Sequence, residues 1–137
     1  MPDKTFKLEI VTPERIVLQQ DAVSVIAPGA QGSLGILANH APLMVELTIG
    51  EVDIRYADGS LHRMAVSGGF MEVAANTVRI LADTAEKEEE IDVERAREAA
   101  DRARQRLSTL EAEDLDLARA EAAMKRAVNR MHVARGH

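Results

Sequence analysis

The chain is 137 residues long, 46% hydrophobic, and carries a formal net charge of −6. That size fits one domain or one domain with an appendage, and the acidic balance argues against a nucleic-acid-binding protein, whose affinity rests on Lys and Arg neutralising phosphates. Cys and Trp are absent and only Phe6, Tyr56 and Phe70 are aromatic, which excludes disulfides, thiolate zinc sites and cysteine nucleophiles and leaves the core to aliphatic residues and Met.

The opening Met1-Pro2-Asp3-Lys4 lacks the apolar run of a signal peptide, and no segment approaches the ~18 apolar residues of a membrane span. Direct membrane insertion is not expected, so membrane association would go through a partner. In chain order, Phe6, Leu8 and Ile10 alternate with Lys7 and Glu9 until Thr12-Pro13 breaks the run. Val23 and Val25 give a second strand, stopped by Pro28-Gly29. Residues 32–42 read as a loop rich in Gly and Pro, holding His40 in a fixed place. Val52, Ile54 and Tyr56 alternate with Asp53 and Arg55 before Asp58-Gly59, a dipeptide suited to a tight hairpin. Met64 and Val66 run into Ser67-Gly68-Gly69, and Val78 and Ile80 flank Arg79 before the pattern ends near Thr84. Seven or more short strands predict an all-β sandwich or barrel.

The character then changes. Seven of the eight Gly and all four Pro precede Ile91, and residues 85–135 contain neither. A domain border follows, with residues 1–85 as the sandwich or barrel and 86–137 as a helical hairpin. In the first helix Ala96, Ala99/Ala100, Ala103, Leu107 and Leu110 recur every three or four residues, with Asp92 as N-cap and Glu94 in the first turn. Ser108, Thr109, Glu111, Glu113 and Asp114 are assigned to the connector, Asp114 as second cap. The second helix presents Leu117, Ala120, Met124, Ala127/Val128, Met131 and Ala134. A short connector makes the helices antiparallel, and an alanine seam buries little area, which predicts a hairpin near the edge of stability. The overall class is α+β: an N-terminal all-β domain, sandwich or barrel, followed by a C-terminal antiparallel α-helical hairpin. From residue 86 to 98 there are seven acids against three bases, and from 115 to 137 two acids against five bases; the basic tip is suited to an acidic surface.

None of His40, His62, His132 and His137 stands at metal-motif spacing from another His or a carboxylate. Ser67 with His40 or His62 and an Asp is a nominal hydrolytic grouping, but Ser67 lacks the Gly-x-Ser-x-Gly elbow. The arginines are ordinarily a solvated face laced by salt bridges. However, Arg95 and Arg102 lie two turns apart on one face, and Arg126 and Arg130 one turn apart on the other helix. A convergent set of four would repel itself unless a polyanion such as a nucleoside triphosphate bridged it.

Five segments, GSLGILANHAP (32–42), VSGGFMEV (66–73), ILADTAE (80–86), IDVERA (91–96) and AMKRAVNRM (123–131), occur in an order that resembles the epsilon subunit family of bacterial F-type ATP synthases across the whole chain. The resemblance implies a non-catalytic rotor subunit, peripheral on the cytoplasmic face of the cell membrane. It implies an N-terminal antiparallel β-sandwich that would bind the gamma subunit and sit on the c-ring. Its hairpin would either fold up or extend along gamma to the alpha and beta subunits of the catalytic head and inhibit ATP hydrolysis. No nucleic acid, no metal site and no catalytic cofactor are implied.

Some members, notably of bacilli, bind ATP on the folded hairpin through a motif matched here by Ile91, Asp92, Arg95 and Ala96. Glu86, Arg102, Arg126 and Arg130 match further positions of that site. ATP would act as a regulatory ligand, with or without magnesium: Ile91 and Ala96 as an apolar wall, Glu86 and Asp92 as acceptors, and the arginines as charge for the phosphates. No residue is placed to activate water. The alternative is the same rotor subunit without ATP sensing, in which the motif only caps a helix. His40 matches the family's loop histidine and is assigned to the rotor interface; Ser33 stands where many relatives carry Glu, so no charged contact is assigned there.

Overall fold

The computed structural model describes residues 4–109 and 114–135. The chain divides into two compact units, Met1–Lys87 and Glu88–His137.

The first unit holds eight strands: β1 (Phe6–Val11), β2 (Ile16–Ala22), β3 (Ser24–Gly29), β4 (Gly32–Leu37), β5 (Leu43–Arg55), β6 (Leu61–Ala74), β7 (Thr77–Ala82) and β8 (Ala85–Lys87). Their order is β2-β1-β7-β6-β5-β3-β4, with β8 on β6. Two long strands make this path a sandwich. Residues 43–47 of β5 pair with 69–73 of β6 in the layer that also contains β7, β1 and β2. Residues 49–55 pair with 61–67 in the layer of β3, β4 and β8. All pairs are antiparallel except β1 with β7, which run parallel.

The alternation seen in sequence is the inward face. Phe6, Leu8, Ile10, Val52, Ile54, Val78 and Ile80 are all buried, joined by Val25, Ile36, Met64, Met71 and Val73. Each apolar side chain moved from water contributes roughly 1.5–3 kcal/mol, so this layer of aliphatic residues compensates for the near-absence of rings.

One expectation about the strands is corrected. Residues 32–37 are not loop but β4, which pairs along its length with β3 and buries Ile36; Gly32 and Gly35 carry no side chain to declare a face, so the alternation was hidden. The loop shrinks to 38–42. Strand β6 runs through Ser67-Gly68-Gly69 and turns there from one layer into the other. Gly68 and Gly69 take φ of 97° and 116°, and a Cβ on Gly69 would collide with the Leu81 carbonyl oxygen, so only glycine fits this bend.

The register also defines the outward face of the β1 layer. One row across neighbouring strands reads Ile16, Val11, Leu81, Phe70, Glu46, and the next Gln19, Glu9, Arg79, Glu72, Met44. In the second row Arg79 bonds Glu9 at 3.7 Å. In the first, Ile16, Leu81 and Phe70 are 58%, 45% and 51% exposed.

In the second unit a 3-10 turn (Glu88–Glu90) leads into α1 (Val93–Thr109) and then α2 (Asp114–Arg135). The helices pack on each other, and two packed helices separated by only four residues run antiparallel. Ala96, Ala100, Ala103, Ala120 and Ala127 are buried in an alanine-dominated seam. Val128, offered with Ala127 as a seam residue, is 44% exposed, whereas Val133, off the expected face, is buried. Ser108 and Thr109 belong to α1 and not to the connector; the Ser108 hydroxyl donates to the Gln105 carbonyl at 2.7 Å. Leu110, Glu111, Glu113 and His137 lie outside the described residues.

Candidate functional site

The start of α1 is built by residues 91–96. Asp92 occupies the N-cap: its Oδ1 accepts from the Arg95 amide at 3.1 Å, and its carbonyl accepts from the Ala96 amide at 3.0 Å. Ile91 and Ala96 stand at the two positions of a hydrophobic staple, one before the cap and one in the first turn, and both are buried. Three of the four motif residues are thus accounted for by helix initiation alone.

Arg95 is not. Its side chain is exposed, and among the described residues it has no acidic partner. The contrast along α1 is regular: Arg97 bonds Glu94 at 3.4 Å and Arg104 bonds Asp101 at 3.2 Å, both one turn apart, whereas Arg102, exposed like Arg95, has no such partner among the described residues. On α2, Arg126 is exposed and Arg130 is half-buried with its Nε enclosed. In a hairpin, positions equally far from the connector lie side by side, which sets Arg95 level with the 126–130 turn and Arg102 about 10 Å further along the axis. Glu86 belongs to the other unit, half-buried on β8 opposite Ala65 of β6.

His40 lies in the 38–42 loop, half-buried, with Nδ1 2.7 Å from the Ala41 carbonyl oxygen. A carbonyl only accepts, so Nδ1 carries the proton and Nε2 is left for a contact outside the loop. Ser33 is exposed on β4.

The nominal hydrolytic grouping is not assembled. The Ser67 hydroxyl is 2.5 Å from the Thr84 hydroxyl, and His62 meets the Tyr56 ring edge-on at 5.0 Å between centroids. Among the described residues there is no group of three or more His, Asp or Glu that could hold a metal ion, and no helix is long and apolar enough to cross a membrane.

The apolar outer row, Ile16, Val11, Leu81 and Phe70, was missed in the sequence. Its signal is the doublets Phe70-Met71 and Ile80-Leu81: when two consecutive strand residues are apolar, one must face outward.

Comparison with known proteins agrees with this division. The family model described as ATP synthase, Delta/Epsilon chain, beta-sandwich domain matches residues 5–88, and that of the long alpha-helix domain matches 89–135. The ATP synthase epsilon chain of Moorella thermoacetica is 55% identical over 130 residues, covering 95% of this chain and 96% of the relative. That of Desulforamulus reducens is 47% identical over 131 residues, covering 96% and 98%. Among solved structures, a chain of the Euglena gracilis mitochondrial ATP synthase, OSCP/F1/c-ring, superposes with TM-score 0.82 at 24% identity, covering 97% of this chain and 82% of that one. A chain of the Tetrahymena thermophila mitochondrial ATP synthase central stalk/c-ring gives 0.62 at 16% identity, covering 98% and 99%; both show the fold. The chain belongs to the ATP synthase delta/epsilon family, among the epsilon chains of bacterial F-type synthases, which are non-catalytic subunits of the central stalk.

Proposed function

We propose that this stalk subunit couples the catalytic head to the c-ring from the cytoplasmic face of the membrane, restrains ATP hydrolysis through its helical hairpin, and senses ATP on that hairpin. The observation that carries the sensing layer is the division of the α1 arginines. Arg97 and Arg104 have acidic partners one turn away, while Arg95 and Arg102, two turns apart on one face, have none among the described residues. A triphosphate offers the several oxygens that such cations take. On this reading the nucleotide is sensed as a ligand, and binding ends in occupancy and not in turnover.

The sandwich supplies the partner surfaces. The outward row of Ile16, Val11, Leu81 and Phe70 fits a protein partner that stays bound, and gamma is the stalk partner assigned to it. The His40 loop, with Nε2 left for a contact outside the loop, is assigned to the c-ring. The alanine seam makes the hairpin weakly held, and the late basic residues Lys125, Arg126, Arg130 and Arg135 match acidic surfaces of the alpha and beta subunits once it extends. ATP at a hundred times its dissociation constant stabilises the form that binds it by about 2.7 kcal/mol, enough to bias a hairpin near balance.

The reading without ATP sensing has its own support, since cap and staple explain Ile91, Asp92 and Ala96 as a helix start. Two measurements decide. Deleting the chain beyond Glu88 raises the ATPase rate of the assembled synthase if the hairpin restrains it, and an unchanged rate removes that role. Titration calorimetry of the full chain with ATP and magnesium gives heat at millimolar nucleotide or below if it senses ATP; none leaves the stalk role without sensing.

A further inference from the structure

Asn76 ties together three segments that are far apart in sequence. It closes the two-residue β6–β7 hairpin with Ala75, at φ of 56° and 49° respectively, a turn in which both central residues take positive φ. From there its side-chain Oδ1 accepts the Asn39 amide at 2.7 Å, its Nδ2 donates to the Thr5 carbonyl at 3.0 Å, and its own carbonyl accepts the Lys7 amide at 3.1 Å. The two side-chain bonds fix the amide's orientation, because the reverse would set NH2 against N–H and oxygen against oxygen. Asn39 itself sits at φ 62°, a conformation that asparagine tolerates but does not choose unless held. The next residue is His40, whose Nδ1 is committed to Ala41. The direction of Nε2 is thus set by a short run of backbone whose one side-chain anchor to a neighbouring segment, among the hydrogen bonds described, is Asn76.

We propose that Asn76 is a positioning residue: its side-chain amide sets the backbone of the 39–42 loop and, through it, the direction in which His40 meets the rotor. The proposal rests on the assignment of His40 to the rotor interface.

Three variants of the full chain, and the double variant that combines Asn76→Gly with His40→Ala, test it. Asn76→Gly keeps the positive φ without strain and removes the amide. Asn76→Asp keeps an acceptor for Asn39 but turns the group facing the Thr5 carbonyl into an acceptor. His40→Ala removes the imidazole. In the isolated chain, Asn76→Gly speeds exchange of the Asn39 amide about fivefold, the loss of one typical hydrogen bond, and shifts the His40 ring 15N resonances, while Asn76→Asp leaves Asn39 protected. With synthase stripped of its own epsilon chain, Asn76→Gly weakens rebinding severalfold in the presence of His40 and adds nothing to His40→Ala, and Asn76→Asp rebinds nearly as the parent does. Unchanged Asn39 exchange in Asn76→Gly overturns the proposal, as do losses that simply add, which mark Asn76 as a general stabiliser. If His40→Ala alone rebinds normally, the rotor assignment fails, and the exchange and 15N data still decide whether Asn76 holds the loop.

Discussion

The Asp92 carboxylate accepts the Arg95 amide at 3.1 Å while the Arg95 guanidinium has no acidic partner among the described residues, so one four-residue span both starts a helix and leaves a cation uncommitted. The two duties of Asp92 separate by substitution. Asp92→Ala removes the cap and costs the hairpin about 1 kcal/mol, whereas Asp92→Ser keeps a capping oxygen at nearly the parent's stability. Amide exchange in the first turn of α1 should quicken in the Ala variant only. If the carboxylate also meets ATP, calorimetry shows weaker binding in both; a Ser variant that binds as the parent does confines Asp92 to capping.

Arg95→Ala should weaken ATP binding at least tenfold, the scale of a lost charge-assisted hydrogen bond. Arg97→Ala, which removes a cation already bonded to Glu94, should change it by less than about threefold, because exposed pairs one turn apart contribute only a few tenths of a kcal/mol. Equal effects in calorimetric titrations would mean that the helix binds nucleotide through its general charge.

Ala75 holds φ of 49° in the β6–β7 hairpin, where a Cβ is strained. Ala75→Gly should therefore stabilise the chain, by about 0.5–1 kcal/mol, although glycine also loosens the unfolded state. Thermal unfolding of the sandwich unit should rise by about 2–6 °C. A fall in Tm would show that the turn carries no strain to relieve.

At the β6 bend the opposite change is harmful. Gly69→Ala places a Cβ against the Leu81 carbonyl and asks alanine to take φ 116°, and the variant should lose more than about 2 kcal/mol in urea unfolding. Gly59→Ala, with open space around its Cβ and φ 86° in the Asp58–Ser60 turn, should cost less.

The same turn carries a pH dependence. The Ser60 hydroxyl and amide donate to the Asp58 Oδ1 at 2.5 and 2.8 Å, and these bonds, the hydroxyl's first, hold the Asp58 carboxyl below its ordinary 3.8. A depressed folded pKa means that the turn's contribution is complete above that ordinary value and fades as the pH falls through the lower one. Carboxyl 13C titration should show the Asp58 midpoint rising in Ser60→Ala; an unmoved midpoint would exonerate the hydroxyl.

Much of this was legible in the residues. The alternation of Phe6, Leu8 and Ile10, or of Val78 and Ile80, maps directly onto buried positions, because a strand with one wet face must repeat every two residues. The cap at Asp92 was legible because it is local chemistry. What stayed hidden depends on partners distant in sequence. Strand β4 has two glycines that declare no face, and the Asn39–Asn76 bond joins residues 37 apart. Which arginines lack an acid was also invisible, since spacing shows that a partner is in reach but not that it is taken. The choice of Ala127 over Val128 for the seam likewise turns on helix rotation, which alternation by threes and fours leaves open.

The parallel pairing of β1 with β7 has a further consequence for how the protein is made. Lys7 stands opposite Thr77 and Val11 opposite Leu81, so β1 cannot gain its second neighbour until some seventy residues after it has been synthesised. Until then β1 and β2 form a lone two-stranded ribbon, which is marginal in water. The sandwich therefore closes late and as a unit, with loop-closure entropy as its main kinetic obstacle, just as the helical unit begins to be synthesised. A nascent chain arrested short of β7 should be protease-sensitive along its whole length, and one arrested after β8 has cleared the exit tunnel should be resistant.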